Sequence, residues 1–336
     1  MKILVTGGAG FIGSNFIRHI LNKSPDYEVV NLDKLTYAGN LDNLKDIEKN
    51  PNYAFIKGDI CDVKVVEKAI KGCDCLLNFA AETHVDRSIH NASNFITTNV
   101  HGTYELLEAA RKNKLKRFIQ ISTDEVYGSI ESGSFSEDSP LKPNSPYAAS
   151  KAAADFLVRS YVATYKMPLI VTRSSNNFGP HQYPEKFLAL IITNALENKK
   201  IPVYGEGKNV RDWLYVKDNC EAIEFILKNG KEREVYNISG EFEISNIDLA
   251  KLVLKKLDLD FNFIEFVKDR PGHDLRYSLD STKLKSLGWN KRFDFGQALD
   301  ETIDWYKKNR PWWQRIKQKD KSYREYYREQ YEMGTK

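Results

Sequence analysis

No stretch of the sequence approaches the ~18 consecutive apolar residues that a membrane-spanning helix needs. A secretory leader finds no room either, because Lys2–Thr6 already reads as a strand. Cysteine is scarce: Cys61, Cys73, Cys75 and Cys220 are the four present. They lack zinc-ligand spacing, and Cys73 and Cys75 are too close for a comfortable bridge. Buried, reduced thiols in a cytoplasmic protein are expected, and no metal. The net charge is only +4 and is spread along the chain, which suits an anionic small molecule and not nucleic acid. Internal repeats, low-complexity linkers and long blocks of one charge are also missing. What remains is 336 residues, 41% of them apolar, enough for one large core or two modest ones.

The first half alternates. Short apolar runs at Lys2–Thr6, Glu28–Leu32, Tyr53–Lys57, Cys75–Phe79 and Arg117–Ser122 are separated by helical patterns at Phe11–Lys23, Val63–Lys71 and about Ser93–Lys112. Met167–Arg173 adds a further strand. Such alternation predicts an α/β fold, a doubly wound parallel sheet of the Rossmann type with helices on both faces. The second half is less regular, with helices near Lys217–Lys228, Ile247–Leu257 and Phe295–Lys308. We therefore expect a dinucleotide-binding domain over 1–176, with part of 211–240 returning to it. A smaller substrate-binding domain is expected over 177–336. The charged, aromatic tail past Arg310 is expected to be a surface helix docked on the body, its aromatics used for packing.

Gly7-Gly8-Ala9-Gly10-Phe11-Ile12-Gly13 links the first strand to the first helix. Glycines at 7, 10 and 13 permit a tight turn, close approach to a pyrophosphate and close packing of helix on sheet. The helix N-terminus then offers free N–H groups and the positive end of its dipole to phosphate. Asp33 ends the second strand. A carboxylate there accepts hydrogen bonds from the adenosine ribose and repels a 2′-phosphate, so NAD is expected in preference to NADP.

Ligands of open parallel sheets bind beyond the carboxyl ends of the strands. Polar residues gather at those ends here: Ala80-Ala81-Glu82-Thr83-His84, Ser122-Thr123-Asp124-Glu125 and Arg173-Ser174-Ser175-Asn176-Asn177. Asn144-Ser145-Pro146 reads as a helix start, with a cap residue and a proline in the first turn. It places Tyr147 and Lys151, four apart, on one helix face. Free tyrosine titrates near pH 10. A neighbouring ammonium and a nicotinamide cation would favour its phenolate, so Tyr147 is a candidate base.

The glycine spacing and Tyr147-Ala-Ala-Ser-Lys151 resemble the extended short-chain dehydrogenase/reductase family, whose members mostly act on nucleotide sugars. Longer strings are similar to those of the dTDP-glucose 4,6-dehydratases within it. They are Asp33–Asn40, Ala80–Ser88, Thr123–Gly128, Asn176–Lys186, Arg211–Val216 and Asp269–Asp274. The resemblance runs from Met1 to about Tyr306, and the tail past Arg310 matches no motif in it.

That resemblance implies a reaction and a set of roles. Oxidising C4 of the sugar makes the C5 proton acidic, so water leaves across C5 and C6 before hydride returns to C6. Tyr147 takes the C4 hydroxyl proton, Thr123 hydrogen-bonds the C4 oxygen, and Lys151 holds the ribose and tunes Tyr147. Glu125 removes the C5 proton, and protonated Asp124 donates to the leaving C6 hydroxyl. The two acids need opposite starting protonation states. Implied cofactor contacts are Gly7, Gly10, Phe11, Ile12 and Gly13 at the diphosphate, and Asp33, Lys34, Leu35, Thr36, Asp59 and Ile60 towards the adenosine. Phe79, Ala80, Ala81, Thr98 and Asn177, with Tyr147 and Lys151, complete the NAD set. For the substrate, Arg211 is the first choice at the diphosphate, with Lys186, Asn176 and Asn237 as further ligands. Arg270 and His273 are implied near the nucleotide, and Thr83, Thr123, Phe187, Pro202, Val203 and Tyr204 complete the set. A homodimer is implied, pairing through the helices about Ser93–Lys112 and Pro146–Tyr165. A UDP-sugar 4,6-dehydratase, a nucleotide-sugar 4-epimerase or decarboxylase, and a non-catalytic cofactor-sensing regulator are the rival readings. The acid pair counts against the epimerase, and the Tyr/Lys pair against the sensor.

Overall fold

The computed structural model describes residues 1–332. Twelve strands form in chain order: β1 Lys2–Thr6, β2 Glu28–Asp33, β3 Tyr53–Lys57, β4 Cys75–Asn78, β5 Arg117–Thr123, β6 Leu169–Ser174, β7 Asn176–Phe178, β8 Ile201–Tyr204, β9 Val210–Tyr215, β10 Val235–Ile238, β11 Glu243–Ser245 and β12 Ile264–Val267. Seven of them make one sheet in the order β10-β6-β5-β4-β1-β2-β3. Every pairing in it is parallel. Helices cover both faces, so the strands are buried on both and alternate residues serve two cores. Ile3, Val5, Leu77, Ile119 and Ile121 join Phe16, Ile17, Ile223 and Ile226 on one side. Leu4, Leu76 and Phe118 join Leu106, Leu107 and Val158 on the other. The last strand of the sheet, β10, arrives long after β6, its only neighbour. The helix Val216–Asn229 that precedes it lies against helix Phe11–Lys23, where His19 Nε2 and Glu224 Oε2 are 2.7 Å apart.

Order reverses around β1 and β4, which opens a crevice at their carboxyl ends. The second half adds a three-stranded sheet, β11-β9-β7, and a two-stranded one, β12-β8. Two expectations need correction. The segment from Ser93 to Lys112 is not uniformly α-helical: Ile96–Gly102 is a π-helical turn between helices Ser93–Phe95 and Thr103–Lys112. The wide turn leaves Asn99 able to bond the Glu82 N–H (2.9 Å), the Glu82 carbonyl (3.0 Å) and Ser150 Oγ (2.8 Å). It thereby ties the loop after β4 to the helix that carries Tyr147. The tail is not one surface helix. It folds as Arg310–Lys319 and Lys321–Tyr327 with a π-helical turn Arg328–Glu332 behind them. Asp320 breaks the first helix and caps the second, accepting from the Tyr323 N–H. Trp313 is fully buried, so the tail docks as part of the core.

Candidate active site

The glycine loop is shaped by what it must avoid. Gly7 has φ +68°, and a Cβ there would lie 2.5 Å from the Ala80 nitrogen. At Gly13 a Cβ would meet the Gly7 carbonyl at 2.4 Å, so the helix can close on the loop only as glycine. Gly10 begins helix Phe11–Lys23 with no side-chain cap. The first-turn N–H groups are thus left for an anion from outside the chain. Asp33 has a structural part within the chain itself. Its Oδ2 accepts from the Ala9 N–H (2.8 Å) and its Oδ1 from the Leu35 N–H (2.7 Å), so it also braces the loop. Each carboxylate oxygen keeps a further lone pair for a hydroxyl. An uncapped helix end, a backbone pressed into the crevice and an acidic strand end fit NAD.

One cavity of about 300 Å³ runs from this loop past Phe79–Thr83, Thr98, Ser122–Glu125, Tyr147 and Lys151 to Ser174–Asn177 and Lys186. Lys34, Thr36, Asp59 and Ile60 line its other end, where Lys34 Nζ pairs with Asp59 Oδ2 at 2.6 Å. Asn176 Oδ1 is buried there without a protein partner. The cavity brings together every residue expected to act chemically.

Tyr147 and Lys151 sit in helix Pro146–Tyr165, which starts on Ser145: its Oγ accepts from the Ala148 N–H at 3.1 Å. Lys151 Nζ donates to the Ile121 carbonyl at 2.5 Å, and burial pushes its ammonium down to about 8. The residues around the phenol act in the opposite sense to the one expected of the ammonium and the nicotinamide cation together. Burial, Glu125 and Asp124 together push the Tyr147 hydroxyl above its ordinary range, and the neighbouring Thr123 hydroxyl only partly offsets them.

The acid pair follows β5 in the 3-10 turn Asp124–Tyr127. Thr123 Oγ1 donates to Asp124 Oδ1 at 3.2 Å, while Asp124 Oδ2 is buried with no partner. Burial, then Glu125 and Asp212, raise the Asp124 carboxyl well above the usual carboxylate range. Burial raises Glu125 as well, but Arg270, Lys186 and Arg211 pull against it. Three cations thus act on Glu125, while a further carboxylate, Asp212, acts on Asp124.

Of those three cations Lys186 lines the cavity, while Arg211 and Arg270 lie behind it, near enough for their charges to act on Glu125. Arg211 is 5% exposed and has no carboxylate partner among the described residues. It donates to the carbonyls of Val210 (2.7 Å), Asp274 (2.9 Å) and Leu275 (3.3 Å) and lies 4.3 Å from the Tyr277 ring centroid. A guanidinium buried at such cost and left without a carboxylate suits an anionic ligand. Lys186 donates to the Thr83 carbonyl at 2.8 Å. Arg270 Nη1 pairs with Asp86 Oδ1 at 2.8 Å. His273 Nδ1 lies 2.7 Å from Asp269 Oδ1, and burial pushes its imidazole down to about 4. The Tyr204 and His273 rings meet edge-on at 5.9 Å.

Some expected ligands lie elsewhere. Asn237 is fully buried away from the cavity: its Oδ1 accepts from Tyr127 OH at 2.8 Å, and its Nδ2 donates to the carbonyls of Phe135 and Asp280. Val203 is in the core, and Phe187 packs against it. Pro202 lines a separate cavity of about 810 Å³. Leu35 turns back with φ 56° and reaches the site only through its N–H to Asp33. Conversely, the sequence reading missed Tyr183, Glu185 and Asp86. Glu185 lines the cavity and pairs with Arg87 Nη2 at 3.0 Å. Its position inside the Asn176–Lys186 string was the available signal.

Comparison with known proteins agrees with this geometry. The family model described as GDP-mannose 4,6 dehydratase matches residues 4–302. The chain is 50% identical over 327 residues to dTDP-glucose 4,6-dehydratase of Streptomyces niveus, covering 96% of this chain and 97% of that protein. It is 51% identical over 306 residues to a low-salt glycan biosynthesis protein of Haloferax volcanii, covering 91% and 98%. Among solved structures it is similar to DesIV, a dTDP-glucose 4,6-dehydratase from Streptomyces venezuelae with NAD and TYD bound. The TM-score is 0.93 at 47% identity, covering 94% of this chain and 100% of that one.

Proposed function

Since the chain belongs to the family of nucleotide-sugar 4,6-dehydratases, we propose that it converts dTDP-glucose to dTDP-4-keto-6-deoxyglucose, for deoxysugar biosynthesis. The observation that carries this is the adjacent acid pair, Asp124 and Glu125, placed in one cavity with Thr123, Tyr147 and Lys151. An epimerase has no step for such a pair.

NAD, when bound, would supply the hydride acceptor for C4 and donor for C6 and a cationic ring. Gly7, Gly10 and Gly13 hold its diphosphate against the helix N-terminus, and Asp33 takes the adenosine ribose. Tyr147 removes the C4 hydroxyl proton, with Thr123 hydrogen-bonded to the same oxygen. Glu125 takes the C5 proton once C4 is a ketone and gives a proton back to C5 when hydride reaches C6. Asp124, its carboxyl already protonated, gives the proton that lets the C6 hydroxyl leave as water. Arg211, Lys186 and Arg270 bind the substrate diphosphate, and their charges also act on Glu125. Purified protein given dTDP-glucose should form a 4-keto product absorbing in alkali, and do so faster than with UDP-glucose. A 4-epimer, or no product, would reject the assignment.

Among the described residues no helix is long and apolar enough to cross a membrane. The cytoplasm is the compartment this reading supports, with residues 1–176 and β10 as the cofactor domain. The same reading gives a homodimer. Ile96, Tyr104, Phe156 and Tyr165 are 53%, 41%, 53% and 49% exposed on the helices from Ser93 to Lys112 and from Pro146 to Tyr165. Exposed apolar residues on two neighbouring helices suit an isologous four-helix contact. Sedimentation at micromolar concentration should show a dimer, and Phe156→Glu should shift it to monomer. A monomeric parent protein would refute it.

A further inference from the structure

We infer that Tyr326, in the C-terminal tail, and Asp86 are positioning residues that hold the Arg270 guanidinium for the substrate diphosphate. Asp86 is 3% exposed. Its Oδ1 accepts from Arg270 Nη1 at 2.8 Å. Its Oδ2 accepts from both Tyr204 OH and Tyr326 OH, each at 2.8 Å. His84 Nδ1 stands 4.0 Å from Oδ2, but burial pushes that imidazole down to about 4, so it adds no charge at neutral pH. Arg270 is the cation that balances Asp86, and two phenols fix the carboxylate that fixes Arg270.

The tail is itself anchored on both sides of the cavity. Trp313 Nε1 donates to the Tyr306 carbonyl at 2.8 Å, and Trp312 Nε1 to Asn43 Oδ1 at 2.9 Å. Tyr183 OH, from the cavity wall, donates to Asp320 Oδ2 at 2.8 Å. Arg87 donates to Ser322 Oγ at 2.9 Å and lies between the rings of Tyr37 (4.3 Å) and Tyr326 (4.9 Å). The hydroxyl of Tyr326 thus ends a rigid path rather than a loose chain end. Among the described residues Arg270 Nε is buried with no partner, so the guanidinium keeps a donor in hand after pairing with Asp86. Its charge already reaches Glu125. A planar fork fixed before binding loses little freedom when it meets a diphosphate, which is what a second layer of hydrogen bonds provides.

The inference rests on the reading of Arg270 as a substrate ligand, and the test separates the two. Tyr326→Phe keeps the ring over Arg87 and removes only the hydroxyl. It should weaken dTDP binding, measured by calorimetry, and raise KM for dTDP-glucose, each by about 10-fold. Binding of NAD should not change, and kcat should stay within about twofold. Arg270→Met should weaken dTDP binding at least as much. The double variant should be no weaker than Arg270→Met alone, because the phenol acts through the arginine. If Arg270→Met bound dTDP normally, the reading of Arg270 would fail and the inference with it. If Arg270→Met were weak but Tyr326→Phe normal, only the role of the tail would be lost. Equal losses of NAD and dTDP affinity in Tyr326→Phe would mark a general loosening and also overturn it.

Discussion

Tyr147→Phe should lower kcat about 10²–10⁴-fold, the usual worth of one general base, and leave the protein folded. The substitution removes one oxygen and keeps the ring, which packs edge-on against Phe95 at 6.2 Å and against Val85. Burial and two carboxylates hold the hydroxyl above its ordinary range, so it is uncharged at neutral pH whether the chain is folded or unfolded. The melting temperature should therefore stay close to that of the parent. The same surroundings set the pH response. The base acts only when its proton is lost, so activity should climb with pH on the acid side, until bound NAD and the nearby charges bring the phenol into range. Loss of the fold by circular dichroism would contradict the packing argument, and a folded variant that turns over near normally would move the base elsewhere.

Glu125→Gln and Asp124→Asn should split the reaction at different points. With Glu125→Gln, Tyr147 and Thr123 remain, so C4 oxidation continues and absorbance appears in the NADH band in a single turnover. Exchange of the C5 proton with deuterated solvent should fall about 10²–10⁴-fold, and water loss with it. The substitution also removes one of the charges that raise the Tyr147 hydroxyl. Oxidation in this variant should accordingly reach its plateau at lower pH than in the parent. Asp124→Asn should retain oxidation and some C5 exchange but lose elimination, because an amide has no proton to give the leaving hydroxyl. Normal C5 exchange in Glu125→Gln would remove Glu125 as the base.

How much of this was legible in the sequence follows from how local each signal is. Strand Cys75–Asn78 is four buried residues that follow Asp74, and its reading needs only a short apolar run too brief for a helix. The glycine loop, Asp33 and the Tyr147/Lys151 spacing are local too. The acid pair was visible as residues, but the charges that act on it were not. Arg211, Lys186 and Arg270 are remote in sequence. The Arg270–Asp86 pair spans 184 positions, so no motif contains it. Asn237 misled because a polar residue at a strand end looks like a ligand. Here it closes a hydrogen-bond network with Tyr127 instead. The π-helical turn at Ile96–Gly102 carries no compositional mark, because one extra residue per turn leaves an apolar pattern almost unchanged.

The late arrival of β10 matters most while the chain is being made. When Ser174 leaves the ribosome, β6 is an open strand edge, and its partner lies about 60 residues further on, roughly 3–12 s of synthesis. Through that interval the nascent sheet presents unpaired N–H and C=O groups of Leu169–Ser174, a ready template for another unfinished chain. Polyribosomes crowded on one message would feel this most. A chaperone that holds the emerging segment until Ile238 appears would raise the yield of active enzyme. A fragment ending near residue 176 would aggregate where the whole chain does not.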